Sequence, residues 1–98
     1  MKKIPPFKLI AEPLNEEAKS LPKFKWASPE VGQRHQLGGD PLFIQAERIP
    51  QCSKCGEKMT FYGQLDSISS EYRLADVGLI YVFVCFHCFT TQSFIQSG

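Results

Sequence analysis

Four cysteines constrain this chain more than any other feature. They are the only cysteines in 98 residues, and they come as two pairs, Cys52-Ser53-Lys54-Cys55 and Cys85-Phe86-His87-Cys88. Two residues between cysteines let a tight turn aim both thiolates at one ion, at about 2.3 Å for zinc. Gly56 directly follows Cys55 and suits such a turn, because glycine adopts positive φ without a steric penalty. The 29 residues between the pairs leave room for two strands. Strands over residues 59–66 and 78–85, paired antiparallel, bring the end of the first knuckle beside the start of the second. The separation exceeds the roughly 15–20 residues usual between such pairs; the polar stretch 67–78 takes up the excess as a loop. All four sulfurs then converge at one end of a hairpin, as in a zinc ribbon with ligands Cys52, Cys55, Cys85 and Cys88.

Three other uses of the same cysteines stay open at this point. Two disulfides suit a small secreted protein, although closely spaced pairs are more often metal or redox motifs. A thioredoxin-like dithiol needs its pair at a helix start after a strand, whereas Gly56 and then a strand follow Cys55. An iron or iron–sulfur centre accepts the same four ligands. His87 lies inside the second knuckle, but four thiolates fill a tetrahedral site, and an exposed knuckle residue is the expected reading. A closed four-sulfur site leaves no position for water or substrate, so the metal is expected to be structural.

Proline divides the chain. All seven prolines fall within the first 50 residues, which denies that half a long helix or a central strand. One short helix fits residues 15–21, with Asn15 as cap and Glu16 and Glu17 in the first turn. Phe24-Lys25-Trp26 and Leu42-Phe43-Ile44 read as short edge strands or apolar plugs, with Trp26 capping the core. Gly38-Gly39-Asp40-Pro41 reads as a turn, anchored by His35. In the second half, residues 59–66 alternate, placing Met59, Phe61 and Leu65 on one face and Thr60, Gln64 and Asp66 on the other, with Asp66 as a strand-end turn former. Residues 79–86 are apolar on both faces and read as a central strand; residues 90–95 supply a third. The fold class expected is therefore a small β-rich domain. It is a four-cysteine zinc ribbon with an antiparallel hairpin plus a third strand, and its N-terminal half is irregular with short strands and at most one short helix. Residues 1–98 form one domain, 1–50 wrapping across the ribbon of 51–98. A chain this short buries only roughly 60–65% of its unfolded surface, so a metal staple is in keeping with its size.

Eleven Lys and Arg against ten Asp and Glu give a formal charge of +1, and four thiolates around Zn²⁺ move it to about −1 by adding a net −2. In residues 51–98 three basic side chains, Lys54, Lys58 and Arg73, face four acidic ones, Glu57, Asp66, Glu71 and Asp76. That balance argues against tracking phosphates. The N-terminal lysines (Lys2, Lys3, Lys8, Lys19, Lys23 and Lys25) make a nucleic-acid arm the second reading. No apolar run reaches a membrane span, and the start, with Lys2, Lys3 and early prolines, has no signal-peptide core; a cytoplasmic location is expected. None of Asp40, Asp66, Asp76, His35 or His87 sits in a catalytic motif, so no enzyme is expected. His35, Gln45, Gln64 and Asp66 line one polar groove if the Gly38-Gly39 turn folds over the ribbon.

One run of motifs is distinctive: His35-Gln36-Leu37-Gly38-Gly39-Asp40-Pro41, Ile44-Gln45, the Cys52/Cys55-Gly56 knuckle with Met59 and Phe61, Gln64-Leu65-Asp66-Ser67, and Gly78 with Ile80-Tyr81-Val82-Phe83 and Cys85. Over residues 35–96 the chain resembles the C-terminal half of the YwqG-like domain family, bacterial proteins without an assigned activity. More distantly it is similar to the C-terminal domain of the programmed cell death protein 2 family. The resemblance implies a structural zinc in a β-rich unit and a binding role, as a chaperone for a ribosomal protein or as an immunity protein. A non-catalytic module that binds a protein partner is the function expected.

Overall fold

The computed structural model describes residues 3–98; Met1 and Lys2, and with Lys2 one basic residue of the N-terminal arm, lie outside the described residues. Strands β1 (Phe7–Lys8), β2 (Gln36–Leu37), β3 (Thr60–Asp66), β4 (Leu79–Cys85) and β5 (Thr90–Gln96) form one antiparallel sheet in chain order. The one helix among the described residues, α1 (Glu16–Lys19), is a single turn. Asn15 caps it as expected, its Oδ1 accepting from the Ala18 N–H at 2.8 Å.

The three long strands follow the hydrophobic pattern of β4. Leu79, Tyr81, Phe83 and Cys85 are buried on one face, and Ile80, Val82 and Val84 are half-buried on the other. With Cys52, Met59 and Phe61 these residues make the core, and Phe43, Ile44, Ile49 and Phe94 pack against it. Alternation in β3 does not run through as the sequence suggests. A bulge between Phe61 and Gly63 leaves Tyr62 outside the pairing and shifts the phase by one residue. Leu65, expected inside with Phe61, is exposed, and Gln64 and Asp66, expected outside, are buried. Gly63 lets β2 come close, since a Cβ there would meet the Gln36 carbonyl oxygen at 2.8 Å.

The phase shift has a structural use. Gln64 and Tyr81, partners across β3 and β4, and Gln96 at the end of β5 hold the irregular segment 42–46 over the core. Gln64 Oε1 accepts from the Leu42 N–H at 3.0 Å, and the Tyr81 hydroxyl donates to the Leu42 carbonyl at 2.7 Å. The Ile44 N–H donates in turn to the Tyr81 oxygen, at 3.2 Å. Gln96 accepts from the Gln45 N–H at 3.0 Å and donates to the Ala46 carbonyl at 2.9 Å. A layer without strands therefore has five of its backbone groups satisfied by buried side chains of the sheet. Leu42-Phe43-Ile44 is thus a plug and not an edge strand. Phe24-Lys25-Trp26 is not a strand either. Trp26 is 96% exposed and caps nothing; the flank of β3 is occupied by β2 and then β1.

Candidate metal centre

Both knuckles close in the same way. In the first, the Cys52 N–H donates to the Glu57 carbonyl and the Gly56 N–H to the Cys52 carbonyl, each at 2.8 Å, while Gln51 and Lys58 bridge its base. In the second, the Phe89 N–H donates to the Cys85 carbonyl at 2.7 Å. The residue after the second cysteine is left-handed in both, Gly56 with φ of 76° and Phe89 with φ of 56°. Glycine takes that conformation freely. Phe89 holds it against a side-chain penalty of about 1–2 kcal/mol, which the sequence does not announce.

β3 and β4 bring the knuckles together at one end of the sheet. The Sγ atoms of Cys52, Cys55, Cys85 and Cys88 all lie within 4.8 Å of one another, and those of Cys55 and Cys85 are 3.7 Å apart. All four are free cysteines, so the two-disulfide alternative is not what this structure holds. A tetrahedron with metal–sulfur bonds of about 2.3 Å has edges of about 3.8 Å. The cluster is within about an ångström of that figure. The donor set therefore fits a single soft cation, with no fifth residue among the described ones drawn in. His87 is exposed.

Electrostatics across the four sulfurs are uneven. The Thr90 hydroxyl, 3.2 Å from Cys52 Sγ, together with the backbone N–H groups of Cys55 and Lys54, draws the Cys52 thiol down to about 6. At Cys55 the N–H of Glu57 favours the thiolate, but burial and the neighbouring Cys85 and Cys52 sulfurs outweigh it and the thiol is raised. Burial, then the proximity of Cys55 and Cys52, pushes Cys88 up to about 12. One thiolate forms readily and repels the next. A cation among them removes that repulsion, which is why metal uptake displaces protons. Thr90, two residues past the last cysteine, was not among the residues singled out from sequence.

The four groove residues separate. His35, Gln64 and Asp66 are buried together along β2 and β3, whereas Gln45 is exposed and its side chain donates to the Ser97 carbonyl at 2.8 Å. Most of their polar atoms are spent on the protein's own backbone. Gln64 Nε2 donates to the Arg34 carbonyl at 2.8 Å, and His35 Nδ1 accepts from the Asp66 N–H at 2.9 Å. His35 thus anchors β3 and not the glycine turn, and its Nε2 is buried with no hydrogen-bond partner among the described residues.

Asp66 is more than a turn former. Its carboxylate, with a side chain 0% exposed, accepts from the Gly32 N–H at 2.7 Å, the Arg34 N–H at 3.0 Å, Arg34 Nε at 2.8 Å and Arg34 Nη2 at 2.7 Å. Arg34 Nη2 also donates to the Val77 carbonyl at 2.8 Å. Burial pushes the Asp66 carboxyl up, but Arg34 and the Gly32 N–H outweigh it and hold the group below its ordinary value. The hydrogen bond to Asp66 raises Arg34. Sequence reading missed Arg34 because its partner lies 32 residues away and no local pattern joins them.

No protein-family model matches the chain, and no solved structure matches it. Over 61 residues, 62% of its length, the chain is 36% identical to the uncharacterized protein YpfL of Salmonella typhimurium, and it spans 14% of that protein's length. No helix among the described residues is long and apolar enough to cross a membrane. Site and comparison together define a small antiparallel β-sheet domain with a four-cysteine cluster compatible with a metal ion, similar over part of its length to a protein that carries no assigned activity.

Proposed function

We propose that residues 1–98 form a single domain held by one structural zinc, acting in the cytoplasm as a non-catalytic protein-binding module. The observation that carries the zinc assignment is the closed set of four sulfurs at near-tetrahedral spacing. Zinc prefers that set, has no redox demand, and leaves no coordination position for chemistry. A non-catalytic role is supported by the acid–base groups themselves. His35 and Asp66 are buried and engaged with their own backbone and with Arg34. Protein binding is supported by the aromatics beside the second knuckle, where Phe89 is 78% exposed and Phe86 also faces solvent; such side chains serve as interface anchors. The resemblance to the YwqG-like family, whose implied roles are binding roles, points the same way. Nucleic-acid binding is the less favoured reading, because residues 51–98 carry more acidic than basic side chains.

Native mass spectrometry of the protein isolated without chelator tests the reading. The expected mass is the chain plus one zinc less the displaced protons, with a protein partner retained. A metal-free mass lower by four hydrogens, meaning two disulfides, would overturn it. So would tight binding to single-stranded nucleic acid that weakens steeply with salt.

A further inference from the structure

We infer that the sheet face turned away from the core docks a second copy of this chain, face to face, as a two-fold dimer. The inference names a partner for the protein-binding reading above and rests on that reading only for the class of partner.

The core lies on one side of the sheet, under segment 41–50; the register of β3, β4 and β5 places three rows of side chains on the other. At the end away from the cysteines the row is bulky, Leu65 beside Ile80 beside Ile95. Gly63, Val82 and Ser93 form the middle row. Toward the cysteines the row is smaller, Thr60, Val84 and Thr91. None of these nine side chains is charged. Leu65 and Ile95 are 47% and 50% exposed. An antiparallel sheet whose open face meets water normally alternates to polar residues there, and β4 puts isoleucine and two valines instead.

Shape and charge select a copy of the same face as the occupant. A two-fold axis lying between the sheets, parallel to the middle row, sets the bulky row of one copy over the small row of the other. In the middle row the Leu37 side chain of β2 leans over Gly63 while Ser93 stays low on the β5 side, a profile that interdigitates at the usual ~10 Å spacing of a β-sandwich. An isologous contact of this kind needs a surface complementary to itself. A face without charge offers nothing to an acidic or basic partner, and brings no like charges together when paired with itself.

Size sets the strength. Seven-residue strands rising about 3.3 Å per residue and spaced about 4.8 Å apart give a footprint of about 400 Å² with the corner of β2. Two such faces remove on the order of 1,000 Å² of accessible surface, the lower limit for a specific interface. The dimer is therefore weak, with a dissociation constant on the order of micromolar.

Sedimentation equilibrium of the metal-loaded chain, from about 1 to 300 μM to span that range, is the test. A reversible monomer–dimer equilibrium is expected. Leu65→Lys/Ile95→Lys, at two exposed positions, should raise the dissociation constant at least about 100-fold by burying unpaired charge, with circular dichroism and metal content unchanged. Should that variant not fold, the dilution-dependent chemical shifts of the unaltered protein decide, and they should map to Ile80, Val82 and Ser93. A monomer throughout the range overturns the inference, whether the face is then bare, covered by another protein or adsorbed to a lipid vesicle. A dimer indifferent to the two lysines, or shifts mapping to the outer edge of β5 or the knuckles, overturns it too. A zinc-loaded monomer would sink the dimer alone, whereas a metal-free protein or a nucleic-acid complex would sink the reading on which it rests.

Discussion

Replacing Asp66 by asparagine isolates the ion pair that ties the N-terminal half to the sheet. The two side chains are nearly the same size, so packing is preserved and only charge and hydrogen bonding change. One carboxylate oxygen takes three donors, the Gly32 and Arg34 N–H groups and Arg34 Nε, and the other takes Arg34 Nη2. The asparagine carbonyl can serve the first three. Its amide then points donor to donor at Nη2, and a guanidinium only 14% exposed loses its counter-charge. Removing one partner of a buried pair costs about 3–5 kcal/mol. For a domain of this size that corresponds to roughly 12–40 °C in Tm. Urea unfolding at saturating metal, followed by fluorescence, measures it. Adding Arg34→Met to Asp66→Asn should recover part of the loss, because the stranded charge goes. The acid limb changes as well. The Asp66 carboxyl lies below its unfolded value of about 3.9, so its contribution is complete above that pH and is lost as pH falls through it toward the folded value. Asp66→Asn should flatten that part of the stability–pH curve. A cost under about 1 kcal/mol would mean that Arg34 finds water or another acceptor with ease, and the reasoning from burial would be refuted.

Three further outcomes are expected. Cys52→Ser or Cys85→Ser should leave the chain unfolded with or without added zinc, since structural zinc contributes about 10–16 kcal/mol in small peptides; an unchanged melting curve would rule the site out. Gly56→Ala should cost about 1 kcal/mol with metal stoichiometry intact, because the left-handed φ of 76° is disfavoured by a Cβ that meets nothing within 4 Å; a stabilised variant would show that the turn is not held left-handed. His35→Asn should be near neutral, since it keeps an acceptor for the Asp66 N–H and deletes the unpartnered Nε2. His35→Ala should cost about 1–3 kcal/mol more by orphaning that N–H, and equal stabilities in urea would refute the assigned hydrogen bond.

What was legible in the sequence is local. Cysteine spacing foretold two knuckles meeting at one end of a hairpin, and the sulfurs do meet. The apolar run of β4 and the placing of a third strand over residues 90–95 match those strands to within a residue. A proline-broken first half without long elements is also what forms. The failures share a physical cause, since each depends on groups far apart in the chain. Reading β3 as an unbroken alternation put Leu65 inside, and only the pairing with β4 reveals the bulge at Tyr62. Two-residue strands such as β1 and β2 are too short to show a period. Arg34 and Asp66 look like unremarkable surface charges until the fold places them together. The polar groove failed to gather for the same reason, with Gln45 carried by segment 42–46 to the end of β5.

The order of the sheet also bears on how the chain is made. Its three longest strands and both knuckles lie in residues 51–98, and β3, β4 and β5 pair with sequence neighbours. Residues 1–50 leave the ribosome before residues 51–98, and apart from the two-residue pairing of β1 with β2 the sheet they pack on follows them. At about 5–20 residues per second that interval lasts roughly 2–10 s. Seven prolines in this stretch keep it from pairing with other nascent chains as strand, since each removes a donor the ladder needs. The composition that makes the first half structurally plain is thus what lets it wait.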